Sequence, residues 1–332
     1  MKKSFVLITV LLISLNSCSN EKPHTMRLAA GSGQAGFKDG KQADLNKPIR
    51  LTPYTENSVI FADINNHAIR IATLDGEVTT IAGGPDKEGY EDGLASQAKI
   101  KSPHGVAYDK KNRKIYVAEA GNHIIRVISL SDNGEHQVST LAGIPGTPGF
   151  KDGKADSAMF ISPHAIILGK DGEVIVADMG NARVRLIKDG IVTTIAGCSE
   201  TGSQDGPPEQ ATFKYAMDLV LDGSDIFLAD AGTHLIRKIV TGKEVTTLAL
   251  QDTLNTPHGI AIDENKNVYI ADMGTHRILK IDKNGSFKTI AGTGQMGNKL
   301  EELNKPAALL VHKGNLWIAD LNNHQIKVLS ID

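Results

Sequence analysis

The sequence is poor in cysteine: only Cys18 and Cys198 occur in 332 residues, and Cys18 lies in an apolar leader, so a disulfide framework is excluded. Cys198 stands where the first repeat described below has Gly84, which reads as a small residue at a strand end rather than a catalytic thiol. Neither sign of charge prevails. The formal net charge is −2 with no run of like charges, which leaves no electrostatic footprint for a nucleic-acid partner. Aromatic residues make up only 5%, while glycine reaches 33 residues, a balance that suits short strands joined by tight turns and predicts few helices. No Ser-His-Asp pairing, phosphate loop or oxidoreductase signature is present either.

What is present is one phrase in six copies. It reads Phe61-Ala-Asp63-Ile-Asn-Asn66-His67-Ala-Ile69-Arg70 first and returns around Glu119, Asp178, Asp230, Asp272 and Asp320. Repetition at roughly 40 to 60 residues signals a repeat array or propeller. Around the second copy the pattern predicts strands at 105–108, 114–118, 123–129 and 137–141, each short, β-branched and bounded by turn formers. Four such strands make a blade, and only a ring of blades buries both faces of each.

A second refrain marks the last strand of each unit, as in Val78-Thr-Thr-Ile-Ala-Gly83 and Phe287-Lys-Thr-Ile-Ala-Gly292, but it occurs five times for six units. The sixth copy is at the other end of the chain, where Met26-Arg-Leu-Ala-Ala-Gly31 mirrors the 287–292 segment. The expected fold is therefore all-β: a six-bladed propeller of four-stranded antiparallel blades over residues 26–332, closed by the N-terminal strand joining the C-terminal blade.

The leader has Lys2-Lys3, an apolar run from Phe5 to Leu15, and then Asn16-Ser17-Cys18. This is the form of a secretory signal and is too short for a spanning helix. Leu15-Asn16-Ser17-Cys18 resembles the bacterial lipobox. That resemblance implies a signal peptide over 1–17, a lipid-modified Cys18 opening a tether over 18–25, and an exported protein held to an envelope membrane by its acyl chains.

Tyr116-Val-Ala-Glu119 and Tyr269-Ile-Ala-Asp272, each followed by Asn-His or Thr-His and an Ile, resemble the NHL repeat over about residues 26 to 332. The motif is specific for the fold and not for an activity. The departures are Ala182 for histidine in the third unit and Glu119 for aspartate in the second. The recurring acid is expected to bond backbone amides of the two or three residues after it, fixing a turn, and the histidine to wedge between blades.

Function is expected where the units differ. Four connections carry Gly-x-x-Asp-Gly, at 36–40, 89–93, 149–153 and 202–206, whereas the fifth is cut to 251–256, leaving either a low sector for a ligand or a neutral deletion. The first channel-facing slot of the inner strands reads Ile49, His104, His164, Met217, His258 and Ala307. Three histidines with one open position describe a catalytic zinc site, so His104, His164 and His258 are candidate metal ligands. Arg50, Tyr215, Met217 and Asp218 are candidate binding residues at the channel mouth. The ring is similar to that of the peptidyl-hydroxyglycine amidating lyases, propellers with a histidine-bound channel zinc and an arginine and tyrosine nearby. Here the histidines fall in units two, three and five instead of alternating, so the resemblance supports a site and not that reaction. Two functions stay open: a membrane-tethered scaffold that binds a protein, peptide or glycan, and a metal-dependent lyase or hydrolase.

Overall fold

The computed structural model describes residues 25–331 apart from Gln251. The leader, Cys18 and all of the tether but Thr25 lie outside the described residues. Six antiparallel sheets form a ring whose inner strands touch their neighbours all the way round, blade six on blade one. Blade two consists of Pro103–Asp109, Lys114–Glu119, Ile124–Ser129 and Gln137–Ala142, close to the expected spans. In blade six, Met26–Ala30 supplies the outermost strand, with Met26 opposite Leu329 and Ala30 opposite Ile326, so the ring closes as the repeat count requires. Blades two and three add a two-residue fifth strand, Gly93–Leu94 and Gly153–Lys154, where the connection returns along the outer edge. The described helices are three-residue 3-10 turns.

The recurring acid is structural, but not by the expected bonds. Asp63 is fully buried, and its Oδ1 accepts the N–H of Asn46, 17 residues upstream in the connection, at 2.7 Å. Its Oδ2 accepts from Asn66 Nδ2 and from Arg70 Nη1, each at 2.7 Å. The turn after it closes by backbone alone, His67 N–H to the Ile64 carbonyl. The amides following the acid are thus not its partners, because the carboxylate points inward to the arginine.

Arg70 has no exposed surface, and its fork then ties down the connection. It donates to the carbonyls of Asp44 and Lys38 and to Asp39 Oδ1, while Phe37 covers the guanidinium at 4.9 Å. Asp39, the acid of Gly-x-x-Asp-Gly, also accepts the N–H of Thr80 in the outermost strand. Arg126, Arg185 and Arg237 pair in the same way with Asp92, Asp152 and Asp205. Blade five has Leu279 at the arginine position and lacks the Asp-Gly connection. Blade six has Lys327, whose Nζ takes the carbonyls of Lys299 and Glu302 and the Asp320 carboxylate. Motif and buried arginine are kept or lost together; in blade five the part-exposed Arg277 lies 3.7 Å from Asp272 and 3.9 Å from Asp252 of the short connection instead.

The expected wedging of histidine between blades takes the form of a hydrogen bond. Nδ1 of His67, His123, His234, His276 and His324 accepts the N–H of Ser102, Ser162, Thr256, Lys305 and Lys47 in the next blade. The last of these, at 3.2 Å, latches blade six to blade one. All five donors are left-handed, with φ between 46° and 62°, and each precedes a proline. Ala182 leaves the junction of blades three and four without this latch. There Tyr215 keeps an ordinary φ, donates its N–H to Asp230 Oδ1 at 2.8 Å, and is followed by Ala216 instead of proline.

A latch exists only while Nδ1 is unprotonated. Burial lowers the pKa of His67, His123 and His324 below the ordinary 6.5. Above that value both folded and unfolded chains are neutral and the latches contribute fully. As pH falls below it the unfolded chain takes up protons first, so stability drains away down through the folded values. The urea midpoint is expected to decline on acidification from that point, and to decline less steeply when the three histidines are replaced by alanine. A midpoint independent of pH over that interval would contradict the latch.

Candidate functional site: the bulged ring of the central channel

Every inner strand carries a β-bulge near its start. Pairing jumps from Pro103 to Gly105, Pro163 to Ala165, Ala216 to Asp218, Pro257 to Gly259 and Pro306 to Ala308. The skipped residues are His104, His164, Met217, His258 and Ala307, the slot read from the sequence. A bulge leaves one residue unpaired and re-aims its side chain, here into the channel. Blade one differs. Its pairing jumps from Ile49 to Leu51, so Ile49 stays in the ladder opposite Ala62 and Arg50, with φ 43°, is the bulged residue. The sixfold ring is therefore Arg50, His104, His164, Met217, His258 and Ala307, with Ile49 corrected out of it.

The three histidines do come together. His104 and His164 have ring centroids 4.2 Å apart, and His164 and His258 are 5.5 Å apart, edge to face. A ring nitrogen of two of them is bonded to a backbone carbonyl: His104 Nδ1 to Ser102 at 2.9 Å and His258 Nδ1 to Ala307 at 2.8 Å. A carbonyl can only accept, so that nitrogen carries the proton. Burial holds all three rings neutral, with the nearby Arg50 acting in the same direction. His258 is lowered to about 4 and His164 well below the ordinary range.

Among the described residues no group of three or more His, Cys, Asp or Glu side chains is arranged to hold a metal ion. His104, His164 and His258, the candidate ligands, lie ring against ring. The carbonyl bonds fix the ring planes of His104 and His258.

Arg50 and Asp218, candidates for contacting a ligand, instead contact each other. Blades one and four are opposite in the ring, and Arg50 Nη1 donates to Asp218 Oδ1 across the channel while Nη2 reaches the Met217 carbonyl at 3.3 Å. Asp218 Oδ2 accepts the N–H of Ile260 in blade five at 3.1 Å. Burial pushes the Asp218 carboxyl up, and the guanidinium beside it pulls it down. The two are 8% and 1% exposed, which makes them a buried crossbar and not a free acid or base. In the sequence, the position two after the proline slot, which holds Arg50 and Asp218 in two units, is Gly105, Ala165, Gly259 and Ala308 in the other four, although in the structure Arg50 is bulged and Asp218 is paired. A side chain at Gly105 or Gly259 would meet the backbone of the next inner strand within 3 Å.

Met217 is half-buried in the ring. Tyr215 is 47% exposed and sits at the rim over Gly232 of its own blade. Their place beside the channel slot marked Arg50 and Asp218 as candidates but not as partners. The signal available was that these positions, one unit cation and one unit anion among small residues, are three repeats apart in a ring of six.

A closed six-bladed ring of NHL type with a non-repeating channel site defines the class of protein. Within that class, residues 52–294 match the model of the SMP-30/Gluconolactonase/LRE-like region, and the chain belongs to that family. It is 29% identical to NHL repeat-containing protein 2 of Bos taurus over 343 aligned residues, covering 86% of this chain and 46% of that protein, so it spans less than half of the relative's length. Two solved structures from Bacteroides thetaiotaomicron share the fold. One, a structural genomics protein of unknown function, has a TM-score of 0.68 at 18% identity, covering 93% of this chain and 76% of that one. The other, an auxiliary nutrient binding protein, has a TM-score of 0.66 at 12% identity with the same coverage.

Removing one partner of a buried pair leaves the other charge uncompensated, at a cost of about 3–5 kcal/mol. Asp218→Leu is expected to destabilise by about that amount, and Arg50→Met with Asp218→Leu to recover most of it, as measured by a double-mutant cycle in urea. Strict additivity of the two changes would show that the crossbar is not an energetic unit.

Proposed function

We propose that this chain is a ligand-binding propeller whose site is the histidine-lined mouth of the channel, and that its ligand is rich in hydrogen-bond donors, as a glycan is. The observation that carries this reading is that the neutral imidazoles of His104 and His258 spend their N–H on a carbonyl and so keep an accepting nitrogen, with the His164 ring packed between them. Ser102, Ser162 and Thr256 each stand two positions before a ring histidine, next to the intervening proline, and add hydroxyls at the rim. The likeness of fold to a nutrient-binding protein is consistent with it. The one carboxylate at the ring, Asp218, is committed to Arg50, which favours binding over acid–base chemistry.

A ligand that binds only the folded chain raises its unfolding temperature. Titration with a panel of neutral oligosaccharides is expected to give such a shift, absent in His164→Phe and His258→Phe and weakened as pH approaches the His258 value of about 4. A shift of full size in both variants would remove the mouth as the site.

We also propose that the protein is exported and tethered through lipid on Cys18. The first strand enters beside Leu329, at the end of blade six away from the His324 turn. A tether of residues 18–25 spans at most about 28 Å, so an anchor there faces the bilayer with the side opposite the histidines. The Cys18→Ser protein is expected to take up no palmitate label and to leave the membrane fraction. Unchanged membrane retention would count against the anchor.

A further inference from the structure

The crossbar divides the channel, and the half beyond it has a chemistry of its own. From Arg50 the inner strands run on toward the face remote from the histidines, enclosing a cavity of ≈ 230 Å³. Each blade contributes one buried aliphatic side chain to its wall: Leu51, Val106, Ile166, Leu219, Ile260 and Leu309, all 5% exposed or less. Half-exposed Ile167, Val220 and Tyr108 line it farther along the strands. Its polar contributors are few, chiefly Arg50 at the closed end and Thr52. Water in such a space finds too few partners to be held well, and apolar cavities of about 150 Å³ take benzene. This one is half as large again.

We propose that the lower cavity is a second binding site, for a compact apolar molecule of one or two rings carrying an uncharged hydrogen-bond acceptor at one end. Size and wall select the apolar body. The acceptor is selected by Arg50, which uses Nη1 on Asp218 and Nη2 on Met217 and makes no bond through Nε–H to the described residues. A carboxylate is disfavoured because Asp218 has already neutralised the guanidinium, so a second anion would be buried without compensation. An ammonium is disfavoured because it lacks a lone pair for the Nε–H and would likewise be buried without a counter-ion. The site is independent of the histidine mouth, from which the crossbar separates it.

Acetophenone, benzoate and benzylamine are probes of matched size with a neutral acceptor, an anion and a cation. In calorimetric or ligand-observed NMR titrations of the full chain, acetophenone is expected to bind at least about tenfold more tightly than the other two. Val220→Trp and Ile167→Trp, which fill the cavity from half-exposed positions, are each expected to abolish that binding, while Tyr215→Ala at the opposite mouth leaves it unchanged. Circular dichroism identifies a filled variant that has not folded, and the other then decides. Absence of acetophenone binding, equal binding of all three probes, or binding that survives a folded tryptophan variant would overturn the proposal.

Discussion

A guanidinium sealed from water must have its charge met by protein, and much of this propeller is arranged around four of them. Their Nη groups are bonded, while Nε of Arg70, Arg126 and Arg237 is buried without a partner among the described residues. Arg70, Arg126, Arg185 and Arg237 are 1% exposed or less. Each draws in carbonyls of the preceding connection and that connection's own aspartate, and in blades one to three also the acid that ends the second strand. In blade four the strand acid is 4.0 Å away and spends its oxygens on the Lys214 and Tyr215 amides instead. The desolvation cost of burying such a charge is offset by these carboxylate and carbonyl bonds to the Nη groups, so the connection has little freedom to be elsewhere. The exposed Phe37, Tyr90 and Phe150 are explained by the same centre, since each lies over the arginine of its blade. They are lids on cations and not a patch awaiting a partner.

Between blades the constraint is lighter and more local. A single histidine acceptor holds the amide of a left-handed residue in the next blade, and the proline after it starts the inner strand. Where Ala182 removes the acceptor, the left-handed residue and the proline are gone as well. Three substitutions that look unrelated in the sequence are one structural event at the junction of blades three and four.

The channel is built on irregularity instead of repetition. Bulges turn one residue of each inner strand inward, and the identity of those residues is free to vary because the ladder does not use them. Neutral imidazoles gather on one side of a buried ion pair and aliphatic side chains on the other, so one tunnel offers two environments with opposite preferences.

The ring of six was legible from counting, because a blade cannot bury its own faces and the missing outer strand had a visible copy at residue 26. The framework role of the repeated acid and histidine was legible for the same reason, although the acid's partners were not. They lie 15 to 18 residues upstream and were hidden by the expectation of a local turn. The channel histidines were found by alignment, yet Ile49 was placed where Arg50 belongs. A bulge one residue later does not change the sequence pattern, only which residue leaves the ladder. The bond between Arg50 and Asp218 joins residues 168 positions apart. Composition and periodicity determine that such a ring forms, since they act through short-range pairing and burial. Only the closed ring decides which opposed side chains meet across it, because that depends on where each strand bulges and on the width of the channel.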